Sequence, residues 1–289
     1  MDVSGLTFCV VGMGLIGGSY AKRLTALGAR VIGVNRSAAP LEAALADGAI
    51  AAAGEAHLGE ADVVIFAVPE AVTEAFVRGH AGDFKAGAVL TDAAGVKEGR
   101  APEIQALLPA GADFISAHPM AGREGGGYGQ SDGAIFQGCN YILVPQAGNA
   151  PAHVMLVREL ALALGSGHVA EVTAEEHDRI IAYTSDLPHV IAAALVSSAS
   201  LDEKTQYFIA GGFRDTTRIA DINGPLWAGL FLANRENVLR EISRYQAALD
   251  DFTRRLAARD EAALLAYLEE AKRRRRMAVH GDDSHSTGK

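Results

Sequence analysis

Short apolar runs alternate with helix-like segments over the first 170 residues of the chain. The runs LTFCVVG, ARVIGV, ADVVIFAVP, GAVLTDA, ADFISAHP and NYILVP are almost continuously apolar, which predicts parallel strands covered on both faces. Apolar residues at helical spacing predict helices between them, at about residues 15–27, 38–47, 70–80, 98–108 and 152–164. This order is typical of βαβ units and predicts an α/β domain.

The pattern changes near residue 170. From Thr173 onward no strand signal remains, and TAEE can form a capping box in which Thr173 and Glu176 satisfy each other's backbone N–H groups. We therefore predict a first domain over residues 1–170 and an all-α helical domain over residues 171–272. Residues 273–289 lose periodicity and are expected to form a disordered tail rather than a functional basic patch.

A glycine motif, GMGLIG, directly follows the first predicted strand and opens the first helix. Gly12 makes the tight turn, Gly14 lets a pyrophosphate approach the backbone, and Gly17 lets the helix pack closely on the strand. The N–H groups that begin the helix at Leu15 and Ile16 can then hold the phosphates. The motif predicts a Rossmann-type nucleotide-binding domain that binds NAD or NADP.

The end of the second strand bears on the choice between these cofactors. NAD-binding proteins usually place Asp or Glu there for the ribose hydroxyls, whereas this chain has Asn35, Arg36 and Ser37. No carboxylate repels a 2′-phosphate, and Arg36 and Ser37 could bind one, so NADP is slightly favoured, although Arg36 could be a plain surface residue. Val68 and Pro69, which end the strand ADVVIFAVP, are expected to line the nicotinamide side.

His118 is the candidate catalytic residue. It follows the strand ADFISA, and ligands of open α/β sheets bind outside the carboxyl ends of the strands. A neutral imidazole there can take a hydroxyl proton while a hydride leaves the neighbouring carbon, because its pKa lies near working pH.

The helical half offers further candidates for substrate binding. Ser185 and His189 are four residues apart and share a helix face, and Pro188 is expected to bend that helix. Trp227 shares a face with Phe231 and Asn234, a pattern that core packing explains about as well as substrate contact.

Asp215 and Arg218 form a second candidate pair, three residues apart in GGFRDTTRIA. A carboxylate at this spacing can hold a guanidinium fork in place for a carboxylate of the substrate. An intrahelical surface ion pair is the alternative interpretation.

Charge and composition narrow the partners. The net charge of −9 argues against nucleic acid or an anionic membrane as the main partner. The start of the chain lacks the pattern of a secretory signal, and no apolar run reaches the length of a membrane span. Cys9 and Cys139 have no spacing for metal or redox work and are expected to be buried thiols. We therefore expect no metal site, and a cytoplasmic protein.

Together these segments resemble the prephenate/arogenate dehydrogenase family of tyrosine biosynthesis. The resemblance runs from about Leu6 to the 250s and rests on GMGLIGGS, DVVIFAVP, TDAAGVK, HPMAGRE, EEHDRIIAYTSDLPH and GGFRDTTRIA with LWAGLFLANRENVL. It implies oxidative decarboxylation of prephenate to 4-hydroxyphenylpyruvate with hydride transfer to NAD(P). The alternative substrates within the family are arogenate, which gives tyrosine, and 4-amino-4-deoxyprephenate in secondary metabolism.

The resemblance also implies roles for the candidate residues. His118 matches the histidine that accepts the hydrogen bond of the 4-hydroxyl group. Arg218 matches an arginine that holds a substrate carboxylate, and Asp215 matches its supporting acid. His189 and Ser185 match pocket residues near the side-chain end of the substrate.

Two further implications concern the pocket entrance and the assembly. Glu124 matches an acid that gates or orders the pocket. The helical half of the family dimerises, so a homodimer is expected.

The chain departs from the family pattern at two positions. Gly95 stands where many members have a serine that assists the hydroxyl, and Asp186 stands where many have a histidine. We expect Asp186 either to reach solvent or pair with Arg179, or to face the pocket and attract the ammonium of arogenate.

Two other classes share parts of this plan. A β-hydroxyacid dehydrogenase or imine reductase would carry a catalytic lysine on the first long helix of the second domain, and AEEHDRIIAYTSDLPHVIAAAL contains none. A non-catalytic nucleotide sensor would not need His118, His189 and Arg218 together.

Overall fold

An eight-stranded sheet organises the computed structural model, which describes residues 1–97, 99–123, 125–198 and 202–280. The strand order is β3-β2-β1-β4-β5-β6-β7-β8. The strands are β1 Thr7–Val11, β2 Arg30–Val34, β3 Ala52–Ala53, β4 Val63–Phe66, β5 Val89–Asp92, β6 Asp113–Pro119, β7 Asn140–Val144 and β8 His168–Glu171. The order reverses between β1 and β4, which is where a doubly wound sheet opens a crevice for a ligand.

The sheet is parallel except at one pair. β7 runs antiparallel to β6, with His118 opposite Ile142, whereas the sequence predicts only parallel βαβ units. The reason is the connection: its described parts contain two 3₁₀ turns, Tyr128–Gln130 and Gly133–Phe136, rather than the crossover helix that parallel strands use. The edge strands β3 and β8 were not predicted.

Helices cover the sheet. In the first part of the chain they are α1 Leu15–Ala26, α2 Ala38–Ala46, α3 Glu70–His80, α4 Ala101–Leu107 and α5 Pro151–Leu164, within three residues of the predicted bounds. Successive residues of β1 enter two separate cores: Phe8 and Val10 belong to one, Cys9 and Val11 to the other. This alternation confirms that both faces of the sheet are covered.

The later helices are α6 Ala174–Ile181, α7 Leu187–Val196, α8 Gly211–Thr217, α9 Gly224–Ala233, α10 Arg235–Ala257 and α11 Glu261–His280. The hydroxyl of Thr173 caps α6 by accepting from the N–H of Glu176 at 3.1 Å. A π-turn, Ala182–Asp186, separates α6 from α7, and Pro188 lies in the first turn of α7. The wider turn accommodates a residue that cannot donate the usual helical hydrogen bond.

The chain forms two compact units, Met1–Arg235 and Glu236–Lys289. Helices α6 to α9 therefore belong to the same unit as the sheet, whereas the sequence predicts a boundary at residue 170. Within the second unit α11 continues to His280, so the disordered tail predicted from residue 273 is wrong up to that point. Surface pairs support this helix: Glu269 contacts Lys272, and Glu270 contacts Arg273 and Arg274. Residues 281–289 lie outside the described part.

Both cysteines are free. Burial raises the pKa of the Cys9 thiol to about 12, which makes it inert. Cys139 is only half-buried, contrary to the expectation, because it lies just before β7 rather than inside it. Among the residues whose placement is described, no helix is long and apolar enough to cross a membrane.

Candidate active site

The glycine loop after β1 is crowded at Gly12 and Gly17 and open at Gly14. Gly12 has φ +97°, and a Cβ there would lie 2.5 Å from Cγ1 of Val68 and 2.7 Å from the carbonyl oxygen of Ala67. A Cβ on Gly17 would collide with the carbonyl oxygen of Gly12, whereas one on Gly14 would meet nothing within 4 Å. The first turn of α1 has no acidic residue and no side-chain cap. This cradle fits the pyrophosphate of a dinucleotide.

Asn35 ties the end of β2 to this loop. Its Oδ1 accepts from the N–H of Met13 at 3.0 Å, and its Nδ2 donates to the carbonyl of Ser37 at 3.0 Å. Arg36 and Ser37 are exposed, and the guanidinium of Arg36 has no partner within the part of the chain that the structure describes. Asn35 thus shapes the loop, which the sequence pattern did not reveal.

The carboxyl ends of four neighbouring strands form one edge. Val11 pairs with Phe66 and Phe66 with Asp92, while Thr91 pairs with Ile115 on β6. The glycine loop, Val68, Asp92 and His118 therefore follow one another along the edge at which α/β sheets bind ligands. Leu15 and Ile16 begin α1, which follows β1, and Pro69 lies between β4 and α3.

A buried ion pair fixes the end of β6. Lys97 donates to both carboxylate oxygens of Asp92 at 2.9 Å, and neither side chain is more than 1% exposed. Lys97 also donates to the carbonyl of Ala117 at 2.5 Å, and Asp92 accepts from Ser116 and from the N–H of Ala117. Because these bonds hold both backbone groups of Ala117, the residue before His118, they fix the position from which the His118 side chain extends.

His118 is partly exposed and contacts a second histidine. Its Nδ1 lies 3.0 Å from Nε2 of His177, whose own Nδ1 lies 2.7 Å from Oδ1 of Asp178. Burial, and then the electrostatic effects of Lys97 and His177, hold the pKa of His118 well below its ordinary value of 6.5. His118 is therefore neutral at physiological pH, as an acceptor of a hydroxyl proton must be.

Helix α7 and its neighbours hold another group of the predicted residues. The ring of Trp227 stacks on that of His189, with centroids 3.5 Å apart and planes inclined by 29°. Nδ1 of His189 donates to the carbonyl of Ser185 at 2.8 Å, which leaves Nε2 as an acceptor in the neutral ring. Ser185, His189 and Trp227 thus form one half-buried group.

Arg218 and Asp215 are both exposed. Arg218 begins a 3₁₀ turn that packs against α7, the helix of His189. It makes other interactions, but none of the described hydrogen bonds or ion pairs joins it to Asp215. The described contacts therefore do not support the expectation that Asp215 holds the guanidinium of Arg218 in place. Glu124 lies outside the described residues.

Both interpretations of Asp186 are corrected by its surroundings. It is 1% exposed and accepts from Nδ2 of Asn234 at 2.9 Å, so it neither reaches solvent nor pairs with Arg179. Burial raises its pKa to about 6, despite the bond from Asn234. A buried side chain engaged in this way cannot attract a substrate ammonium.

Gly95 is the second position at which the chain departs from the family pattern. A Cβ there would lie 3.2 Å from Leu230, so α9 packs directly on the backbone of Gly95.

Comparison with known proteins decides the family. Two protein-family models match the sequence. The one described as "Prephenate dehydrogenase, nucleotide-binding domain" matches residues 20–170, and the one described as "Prephenate dehydrogenase, dimerization domain" matches residues 173–270. The chain belongs to the prephenate dehydrogenase family. It is an oxidoreductase that uses a nicotinamide dinucleotide, as the glycine loop predicts.

Individual relatives agree along nearly the whole chain. Prephenate dehydrogenase of Bacillus subtilis is 30% identical over 277 residues, covering 92% of this chain and 74% of that protein. The crystal structure of A. aeolicus prephenate dehydrogenase, in complex with hydroxyphenyl propionate and NAD+, superposes with a TM-score of 0.85 at 27% identity, covering 93% of this chain and 97% of the other. Synechocystis arogenate dehydrogenase gives 0.82 at 26% identity, covering 95% and 100%.

Proposed function

We propose that this enzyme converts prephenate to 4-hydroxyphenylpyruvate by oxidative decarboxylation. The observation that carries the proposal is the neutral, partly exposed His118 on the sheet edge that also bears the glycine loop. The Bacillus subtilis relative, named a prephenate dehydrogenase, supports this choice of substrate.

Each residue then has a step. The glycine loop would hold NAD(P), which would supply the acceptor for the hydride on the ring carbon that bears the hydroxyl group. His118 takes the hydroxyl proton through Nε2 as the C–O bond becomes a carbonyl. The ring carboxylate leaves as CO2, its bonding electrons enter the ring, and the carbonyl oxygen takes the proton back from Nε2 of His118 to give the phenol. Arg218 binds the remaining carboxylate, and the group of Ser185, His189 and Trp227 lies beside the side chain.

The deciding experiment is a four-way assay. Purified protein is given prephenate or arogenate with NAD or NADP, and formation of reduced nicotinamide is followed by absorbance. We expect prephenate to have the higher kcat/KM, with some activity on arogenate. A higher kcat/KM for arogenate would make the chain an arogenate dehydrogenase, and no activity with either would remove the proposed reaction.

We propose that NADP serves at least as well as NAD, because Arg36 and Ser37 are exposed beside the loop and no carboxylate stands at position 35. Asn35→Asp is expected to shift the ratio of kcat/KM for NAD over NADP upward by about tenfold or more, since like charges repel the 2′-phosphate. Asn35→Ser removes the amide without adding charge and should leave the ratio near that of the wild type. An unchanged ratio in Asn35→Asp would contradict this assignment.

Arg218→Ala is expected to raise KM for prephenate much more than it lowers kcat, because a charge-assisted contact present in both ground and transition states is removed. Arg214→Ala is the matched control, because Arg214 is an exposed arginine one turn earlier on α8. Steady-state kinetics of both variants decide the matter. Equal KM values in the two variants would show that Arg218 does not bind substrate.

We propose that the enzyme is a homodimer through its helical part. Apolar side chains such as Leu232, Leu256 and Leu265 are 71%, 58% and 60% exposed on α9, α10 and α11. Large exposed apolar surfaces mark protein contacts, and the matching dimerization model spans residues 173–270. Multi-angle light scattering should give the mass of two chains, and the mass of one chain at micromolar concentration would refute the dimer.

We propose a cytoplasmic location. Both cysteines are unpaired, which suits a reducing compartment. Cell fractionation tests it, and recovery outside the cytoplasm would overturn it.

A further inference from the structure

A chain of three side chains runs inward from the proposed base. His118 on β6 contacts His177 on α6 at 3.0 Å, and His177 contacts Asp178 at 2.7 Å. His177 and Asp178 are 1% exposed, so both are shielded from water and from direct contact with substrate. Among the described residues, the contact of His177 with His118 links them to the proposed base.

The order of donors along this chain follows from its inner end. An ionised carboxylate only accepts hydrogen bonds, so Nδ1 of His177 must carry a proton for Asp178. In the neutral ring Nε2 of His177 is then an acceptor, and Nδ1 of His118 must be the donor to it. The lone pair of neutral His118 is therefore on Nε2. That nitrogen has no hydrogen-bond partner in the ranges that the structure describes.

Asp178 is held so that this order is stable. Oδ1 also accepts from the backbone N–H of Lys97 at 2.8 Å, and its backbone carbonyl accepts from Nδ2 of Asn234 at 2.9 Å. Its second oxygen, Oδ2, is buried and has no hydrogen-bond partner among the described residues. Oδ1 thus faces Nδ1 of His177 and the N–H of Lys97, two positions from which an ionised carboxylate accepts, and this keeps the proton of neutral His177 on Nδ1.

We propose that His177 and Asp178 are positioning residues that hold His118 in the tautomer with its lone pair on Nε2. When His118 takes the substrate proton through Nε2, its Nδ1–H bond to His177 shares the new positive charge with the buried carboxylate. Between substrate and protein only that proton passes, while His177 and Asp178 keep their own protons and bonds. The proposal rests on the proposed function for its effect on turnover, whereas the tautomer itself is independent of the substrate.

The tautomer is measured first, without substrate. The protein is labelled with ¹⁵N-histidine, and the shifts of the ring nitrogens distinguish protonated from unprotonated positions. Comparison with His118→Asn assigns His118 among the nine histidines. We expect wild-type His118 to carry its proton on Nδ1 at neutral pH. A proton on Nε2 would overturn the proposal, whatever the substrate of the enzyme is.

Three variants then separate positioning from packing. His177→Phe keeps a ring but no acceptor, and should lower kcat by about 10–100-fold with little change in KM, the usual effect of losing an orienting partner. His177→Gln places an amide oxygen near the former Nε2 and should recover most of the lost kcat. His153→Phe removes another His–Asp pair, at the opposite end of β6, and should leave kcat and the His118 tautomer unchanged.

The outcomes are distinct. Loss of the Nδ1–H tautomer in His177→Phe together with recovery in His177→Gln supports the proposal. An unchanged tautomer in His177→Phe, or equal kcat in all three variants, overturns it. If His177→Phe does not fold, the wild-type tautomer and the kcat of His177→Gln still decide. If the enzyme is inactive on both cyclohexadienols, the proposed function fails while the ¹⁵N result stands by itself.

Discussion

His118→Asn is expected to lower kcat by roughly 10²–10⁴-fold while leaving cofactor affinity unchanged, which is the usual contribution of a positioned general base. Asparagine is smaller and can still donate toward His177, so the fold of the site should survive. It cannot accept a proton, however, and the hydroxyl group would have to lose its proton to water. The measurement is kcat with saturating prephenate, accompanied by titration of NADPH fluorescence for cofactor binding.

His57→Asn is the control for this prediction, because His57 is partly exposed and pairs with Glu60 away from the sheet edge. It should keep wild-type kcat. A His118→Asn enzyme that retains more than about a tenth of wild-type kcat would remove His118 from the chemistry. The lowered pKa of His118 adds a second expectation: any fall of kcat caused by its protonation should occur below pH 6.5.

Lys97→Met is expected to reduce the free energy of unfolding by about 3–5 kcal/mol, the usual cost of leaving one partner of a buried ion pair behind. Methionine fills most of the volume, but of its described bonds Asp92 would keep those from Ser116 and the N–H of Ala117. The carbonyl of Ala117 would also lose its donor. Urea denaturation followed by circular dichroism, at one protein concentration, measures the change.

Lys85→Met is the matched control. Lys85 pairs with Asp62 at 2.5 Å, but the two side chains are 47% and 27% exposed. Solvent screens such a pair, so its loss should cost only about 0–1 kcal/mol. Similar losses of unfolding free energy in the two variants would show that burial does not increase the cost of breaking the Lys97–Asp92 pair. A Lys97→Met protein that folds should also have lower kcat, because the bonds around Ala117 set the position of His118.

Local pattern was enough to predict much of the fold. Continuous apolar runs predicted the central strands, and the position of GMGLIG after the first of them predicted the loop whose crowding requires Gly12 and Gly17. An apolar run has no direction, however, so the antiparallel pairing of β7 could not be read from NYILVP. Residues 269–274 form exposed ion pairs along α11 and show no apolar residues at helical spacing. The helix was therefore predicted to end too early.

The candidate site was predicted less completely, because its inner residues are defined by distant contacts. His118 follows from its place after a strand, but Lys97 and Asp178 are 81 residues apart and meet only in the folded chain. Lys97, which follows the small and apolar residues AAGV in TDAAGVK, was an available signal, whereas Asp178 stands among other charged residues in EEHDRII and is not distinguished by its local sequence. Asp186 was misinterpreted for the same reason, since its partner Asn234 is 48 residues away.

The π-turn at Ala182–Asp186 makes the length of this segment more important than its composition. A π-turn contains one residue more than an α-helical turn, and each helical residue contributes about 100° of rotation. The extra residue sets the angular phase of α7 relative to α6, and hence of His189 relative to His177. Deleting one residue here would restore a continuous α-helix and turn His189 away from Trp227. Every other side chain of α7 would rotate by the same angle. Substitutions in this stretch alter one contact at a time, whereas a single deletion would move a whole face of the site.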